Sequence, residues 1–224
     1  MKDTKQFLQE LSRITKQEIH LRNVTRKRAV VMILLVESNE QLFVLFQERS
    51  PNIPQPNEIS FPGGLTEEND LSIVDTALRE TEEELGISRD MIQIVGRIDS
   101  LITRLGMQID VVVGKTSVSL EKMDPNKYEV ERLFALPLSW LMEQKPEFYQ
   151  VLVKSHPTVL NKETGETVVL FPSKELGLPA KYHDAWGEML HKVILYHTPE
   201  GIIWGITADI LLDFLNLCKN IEAS

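Results

Sequence analysis

The chain has 224 residues, 42% of them hydrophobic and 25% charged, with a formal net charge of −9 and a single cysteine. That length carries one domain with a substantial core, or one domain with an elaboration. The acidic balance argues against general binding to nucleic acid or acidic membranes. No stretch reaches the roughly 18 apolar residues of a membrane span, and one thiol, Cys218, cannot close an internal disulfide. With no signal-like apolar run at the start, the expectation is a cytoplasmic protein with neither membrane nor nucleic-acid partner. No repeat or polar linker divides the chain, so residues 1–224 are expected to be one domain.

In chain order, Phe7, Leu8, Leu11 and Ile14 recur at helical spacing and predict an N-terminal helix over about residues 3–20. Arg28–Glu37 and Gln41–Gln47, separated by Ser-Asn-Glu, predict a hairpin. Residues 50–57 hold three prolines and predict a rigid loop. A short strand and the turn Phe61-Pro62-Gly63-Gly64 follow, where two glycines admit a close approach that a side chain would block.

Ser72 with Asp75 three residues on, and Gly86, bound a predicted helix from Ile73 to Leu85. Val74, Ala77, Leu78, Thr81 and Leu85 form its apolar stripe. Glu80, Glu83 and Glu84 lie off that stripe at spacings that gather their carboxylates. Like charges so placed cost a helix roughly 0.2–0.5 kcal/mol per pair. A hard cation such as Mg²⁺ would relieve them, with one glycine-turn carbonyl completing its shell. A solvated acidic face and an ordinary turn are the alternatives.

Beyond the helix, Ile92–Ile98 and Gln108–Gly114 read as strands joined through residues 103–106, and Tyr128–Leu138 as a further extended segment. Residues 147–192 read as an elaboration. In it FYQVLVKS and TVVLF are candidate strands joined at Thr164-Gly165-Glu166, and His183–His191 shows no period. His156, His183, His191 and His197 have no ligand spacing. Val193–His197 and Gly201–Trp204 read as strands and Gly205–Cys218 as a helix, with Cys218 a buried structural thiol.

Arg79-Glu80-Thr81-Glu82-Glu83-Glu84-Leu85-Gly86-Ile87 resembles the second half of the Nudix box. The first half departs from the generic box: Leu65 and Leu71 stand where it has Gly and Glu, the glycines come one residue earlier, and Asp70 is near the missing Glu. This longer form, with Phe61–Gly64, Asp70 and Thr76–Glu80, resembles the coenzyme A pyrophosphatase branch. Arg49-Ser50, the Glu129 to Leu138 segment and Ile203–Leu211 resemble further parts of that branch. The 50–58 loop differs: it is one residue shorter, lacks the branch's His and has Asn57-Glu58 for Gly-Gln.

The resemblance implies an α/β fold, a Nudix-type α/β/α sandwich with a mixed sheet, and metal-dependent hydrolysis of a diphosphate in a nucleoside diphosphate derivative, most simply coenzyme A. ADP-ribose or another dinucleotide, and a non-catalytic nucleotide- or protein-binding module, are the alternatives. It further implies that Gly64, Glu80, Glu83 and Glu84 hold Mg²⁺ or Mn²⁺, with Arg79 orienting a glutamate. Glu129, or next Glu131, would serve as a further ligand or base, a solvated loop carboxylate being the other reading. Arg49 and Arg104 are the candidate substrate-binding cations, and a homodimer is the assembly to test.

Overall fold

The computed structural model describes residues 3–14, 28–104 and 106–223. The chain resolves into two compact units, one of Met1–Pro146 with Leu195–Ser224 and the other of Glu147–Ile194. In the first, helix α1 (Thr4–Ile14) precedes strands β1 (Arg28–Ser38), β2 (Gln41–Arg49), β3 (Ile59–Ser60) and β4 (Gly63–Leu65). Helix α2 (Ile73–Leu85), strands β5 (Gln93–Ile102), β6 (Gln108–Thr116) and β7 (Val130–Pro137), and the short helix α3 (Leu138–Glu143) follow. The expected extension of α1 to about residue 20 lies outside the described residues.

These seven strands form one sheet along the path β3-β2-β1-β6-β5, with β4 added to β1 and β7 to β2. β1 and β6 are parallel and the other pairs antiparallel, so the sheet is mixed. β1 is hydrophobic almost throughout because both its faces are covered. Its even-numbered Val30, Met32, Leu34 and Val36 cluster with Ile73, Ala77 and Leu85 of α2. Its odd-numbered Ile33 and Leu35 are as deeply buried on the other face. There α3 packs on β2 and β7, and α1 on β5 and on the last helix, α4 (Gly205–Ala223). Each such fully buried aliphatic side chain contributes about 1.5–3 kcal/mol.

α2 has the predicted bounds. The Ser72 Oγ accepts from the Asp75 N–H, the Asp75 carboxylate accepts from the Leu71 N–H, and Gly86 closes the helix in a left-handed conformation. The buried stripe is wider than expected: Thr76 and Glu84 join it, while Val74 and Leu78 are only half-buried.

In the second unit both candidate strands form, within Glu147–Ser155 and Thr167–Val169, but the two do not pair with each other. β8 (Glu147–Ser155) pairs with β11 (Trp186–Thr198), across the stretch where no period was visible. The short β9 (Thr158–Leu160) pairs with β10 (Thr167–Val169) across the 161–166 turn. The last residues of β11 belong to the first unit, where they pair with β12 (Gly201–Trp204). No described helix is long and apolar enough to cross a membrane.

Candidate active site

The site is built where β1 and β2 splay and the glycine turn fills the gap. β3 pairs with the end of β2 and β4 with the start of β1, leaving Phe61 and Pro62 between them. Phe61 stacks on Phe46 and the Pro62 carbonyl accepts from the Met32 N–H, so the turn is pinned on both sides. Gly63 sits at φ +149°, and a Cβ there would collide with the Val30 carbonyl. A Cβ on Gly64 would lie 2.5 Å from the Glu80 carboxyl. The two glycines therefore bring bare backbone against β1 on one side and against the acidic face of α2 on the other.

On that face Arg79 is the hub. Its Nε and Nη2 donate to the two oxygens of Asp70 (2.9 and 3.0 Å), and Nη2 also to the Leu65 carbonyl (3.1 Å). Nη1 donates to Glu80 (2.9 Å) and Glu83 (3.2 Å). Asp70 also accepts from the Glu67 N–H and the Thr76 hydroxyl, both at 2.8 Å. The Arg79 guanidinium, with these other donors, outweighs burial and holds the Asp70 carboxyl well below the usual carboxylate range, while Asp70 in turn raises Arg79. Leu71, at the place of the generic box's Glu, is 94% exposed, while the neighbouring Asp70 and the Leu65 carbonyl bind Arg79.

The three glutamates differ in setting. Glu83 is solvent-facing, its side chain 55% exposed. Glu80 is largely enclosed, and burial pushes its carboxyl up against the opposing pull of Arg79, with Glu83 and Glu129 adding repulsion. Glu84, expected off the apolar stripe, is only 4% exposed. Its Oε2 accepts the Gly63 N–H at 2.8 Å. Burial, reinforced by the charges of Glu80 and Glu129, pushes it up to about 8 despite hydrogen bonds from Gly63 and the Gln47 side chain. Among the described residues no three Asp, Glu, His or Cys side chains are arranged to hold an ion as they stand; their positive partners are Arg79 and the Gly63 N–H.

Glu129 comes in from the β6–β7 connection, which wraps the end of α2. The Asn126 N–H donates to the Glu84 carbonyl, the Glu129 N–H to the Asn126 carbonyl, and the Ser50 N–H to the Glu129 carbonyl. Glu129 is half-buried and its charge is felt by both Glu80 and Glu84, whereas Glu131 is exposed. Arg49 bonds its own loop, donating from Nε and Nη2 to the Pro54 carbonyl (3.0 and 2.9 Å). Arg104 is exposed on the turn between β5 and β6.

Sequence reasoning did not single out Gln47. It is buried on β2 directly opposite Ser60, so both side chains share the face of the sheet that meets Glu84. The Gln47 Oε1 and the Ser60 Oγ are both buried without a hydrogen-bond partner. The only sequence signal was a polar residue ending the apolar run LFVLF. Glu48 points to the other face, where a pocket of about 530 Å³ is lined by Asn57, Ile59, Glu200 and Trp204 among others. Arg132 bridges Glu48 and Glu200 there, at 2.7 Å to each.

A mixed sheet between helices, with an arginine-clamped glutamate helix set against a glycine turn, has the layout that the sequence resemblance implies. The NUDIX domain model matches residues 25–182, and the chain belongs to the Nudix hydrolase family. It is similar to the uncharacterized Nudix hydrolase NudL of Pectobacterium atrosepticum, 25% identical over 192 residues that make up 85% of this chain and 83% of that one. NudL of an Enterobacter species is 27% identical over 188 residues, 84% and 81% of the two chains. Among solved structures, the Nudix hydrolase RenU of M. smegmatis aligns over 51% of this chain and 72% of its own, at a TM-score of 0.43 and 18% identity.

Proposed function

We propose that this protein uses Mg²⁺ or Mn²⁺ to hydrolyse the diphosphate bond of a nucleoside diphosphate derivative, with coenzyme A or a close relative as substrate. The observation that carries the reading is the mutual crowding of acidic side chains beside the glycine turn: Glu80 lies against Gly64, Glu84 accepts the Gly63 N–H, and the charges of Glu83 and Glu129 bear on Glu80 and that of Glu129 on Glu84. Arg79, the cation beside three of the box's acidic groups, is already shared between Asp70, Glu80 and Glu83. Carboxylates crowded and raised in this way suit a hard divalent ion, whose ligands are oxygens. Glu80, Glu83, Glu84 and the Gly64 carbonyl would hold it. Such an ion neutralises phosphate charge and lowers the pKa of a bound water.

The chain's own groups do the rest. Arg79 positions Glu80 and Glu83 through fixed, directional bonds. The Gly63 N–H and Gln47 aim Glu84. Glu129 stands where it can take a proton from water, and Arg49 and Arg104 supply cations on flanking loops. Coenzyme A is favoured by the spacing of Phe61–Gly64, Asp70 and Thr76–Glu80, for which the Asp70–Arg79 clamp gives a physical reason. The altered 50–58 loop, with Arg49 bonded to Pro54, favours the second reading, ADP-ribose or another dinucleotide. A purely binding module would gain nothing from the carboxylate crowding.

The test is a panel of coenzyme A, 3′-dephospho-coenzyme A, ADP-ribose and diadenosine polyphosphates with Mg²⁺ or Mn²⁺, with the phosphate-containing products identified. Coenzyme A should give 3′,5′-ADP and 4′-phosphopantetheine at the highest kcat/KM, with preference over the dephosphorylated form lost in Arg49→Ala or Arg104→Ala. ADP-ribose cut faster than either would reassign the substrate. No metal-dependent product from any compound would overturn the enzymatic reading.

A further inference from the structure

The unit Glu147–Ile194 carries surface that the chemistry above does not use. β8 is the outer strand of its sheet among the described residues, paired only with β11. The ribbon they form is apolar without being covered: Phe148, Tyr149, Val151 and Leu152 on β8, and Met189 and Leu190 on β11, are 43–63% exposed. An open apolar edge is a template for another strand. The four β8 side chains flank the open edge, two on each face. Charge does not oppose self-association there: the unit has five lysines and six carboxylates, a net −1, within a chain of net −9.

We propose that this surface binds the same unit of a second copy of the chain, β8 running antiparallel to β8 about a two-fold axis at Gln150. Strands related in this way pair residues that share a face and point their backbone groups the same way, so even numbers meet even and odd meet odd. Centred on Gln150, the pairing sets Phe148 against Leu152 on one face and Tyr149 against Val151 on the other. Both are aromatic-to-aliphatic cross-strand pairs, the stabilising kind. The segment is thus complementary to itself, and a two-fold contact closes, consuming the edge instead of propagating it.

The test is the solution mass of the full chain by light scattering across a concentration series. The parent should show twice the 25.6 kDa chain mass. Gln150→Glu/Leu152→Glu, which sets two like charges face to face on the axis and a charge against each Phe148, both at exposed positions, should show the single-chain mass with an unchanged far-UV spectrum. Gln150→Cys should form a covalent dimer under mild oxidation, since paired Cα atoms about 4.5–5.5 Å apart lie within disulfide reach; the native Cys218 is buried. A parent of single-chain mass, whether or not it binds lipid vesicles or another protein, overturns the proposal. So does a dimer that survives the double glutamate variant, or one that Gln150→Cys fails to cross-link.

Discussion

Glu84 is both buried and crowded by like charge, so replacing it with its neutral isostere should stabilise the protein while disabling it. Its carboxyl is raised from an ordinary 4.5 to about 8. A carboxyl raised by folding leaves stability intact below its unfolded pKa and withdraws it as pH climbs through the folded value. At pH 7 that withdrawal is on the order of 3 kcal/mol. Glu84→Gln keeps an acceptor for the Gly63 N–H and removes the charge, so its Tm should exceed the parent's by roughly 5–10 °C at pH 8. The gap should narrow towards zero near pH 5. Thermal melts at half-unit steps from pH 5 to 9, in EDTA, measure this directly. Added Mn²⁺ should raise the Tm of the parent at pH 8 and leave the variant unmoved, and turnover of the variant should fall at least about 100-fold. Parallel Tm–pH curves for the two proteins, or a variant less stable than the parent at pH 8, would refute the electrostatic argument.

Glu83→Gln should lose turnover to a similar degree with its Tm within about 2 °C of the parent, because its side chain is largely in solvent; full metal-dependent activity would remove Glu83 from the metal site. Asp70→Asn breaks a buried bidentate pair and should cost about 3–5 kcal/mol by urea unfolding at pH 7. Since Asp70 is depressed, its contribution is present above the unfolded pKa of 3.8 and is lost as pH falls through the lower folded value. The variant should therefore converge on the parent in strong acid; an equal deficit at pH 7 and pH 2 would contradict the clamp. Ala77→Glu buries an unpaired charge at a fully covered position and should prevent folding to a cooperative state; a parental Tm would show that the faces of α2 are reversed.

The α2 boundaries and caps were readable because Ser72, Asp75 and Gly86 act locally, through bonds made within one turn of the helix. The glycine turn was readable for a related reason, since only residues without a Cβ fit between β1 and Glu80. The burial of Glu84 was not readable. Helical spacing places it beside Glu80 and Glu83, but what encloses it is Gln47, from a strand 37 residues away in sequence, and the tertiary placement of the turn. Asp70 could be marked from its spacing, yet its task became visible only when Arg79 was seen to reach back across the loop. In the second unit the partner of β8 was not readable because exposed, doubly apolar strands lack the alternation that reveals a half-buried one, and β11 carries no such period.

The connection that delivers Glu129 is tied down by its backbone. Asn126 and Ser50 use main-chain N–H groups to fasten it to the end of α2 and to the proline-rich loop. Bonds of that kind make no demand on which side chain position 129 carries. The scaffold therefore fixes a location beside the glutamates while leaving its chemistry open to exchange. A library randomised at residue 129 should retain the parental melting behaviour across most of its members while spreading widely in rate and pH optimum, making this a position from which new activities can be selected without first repairing the fold.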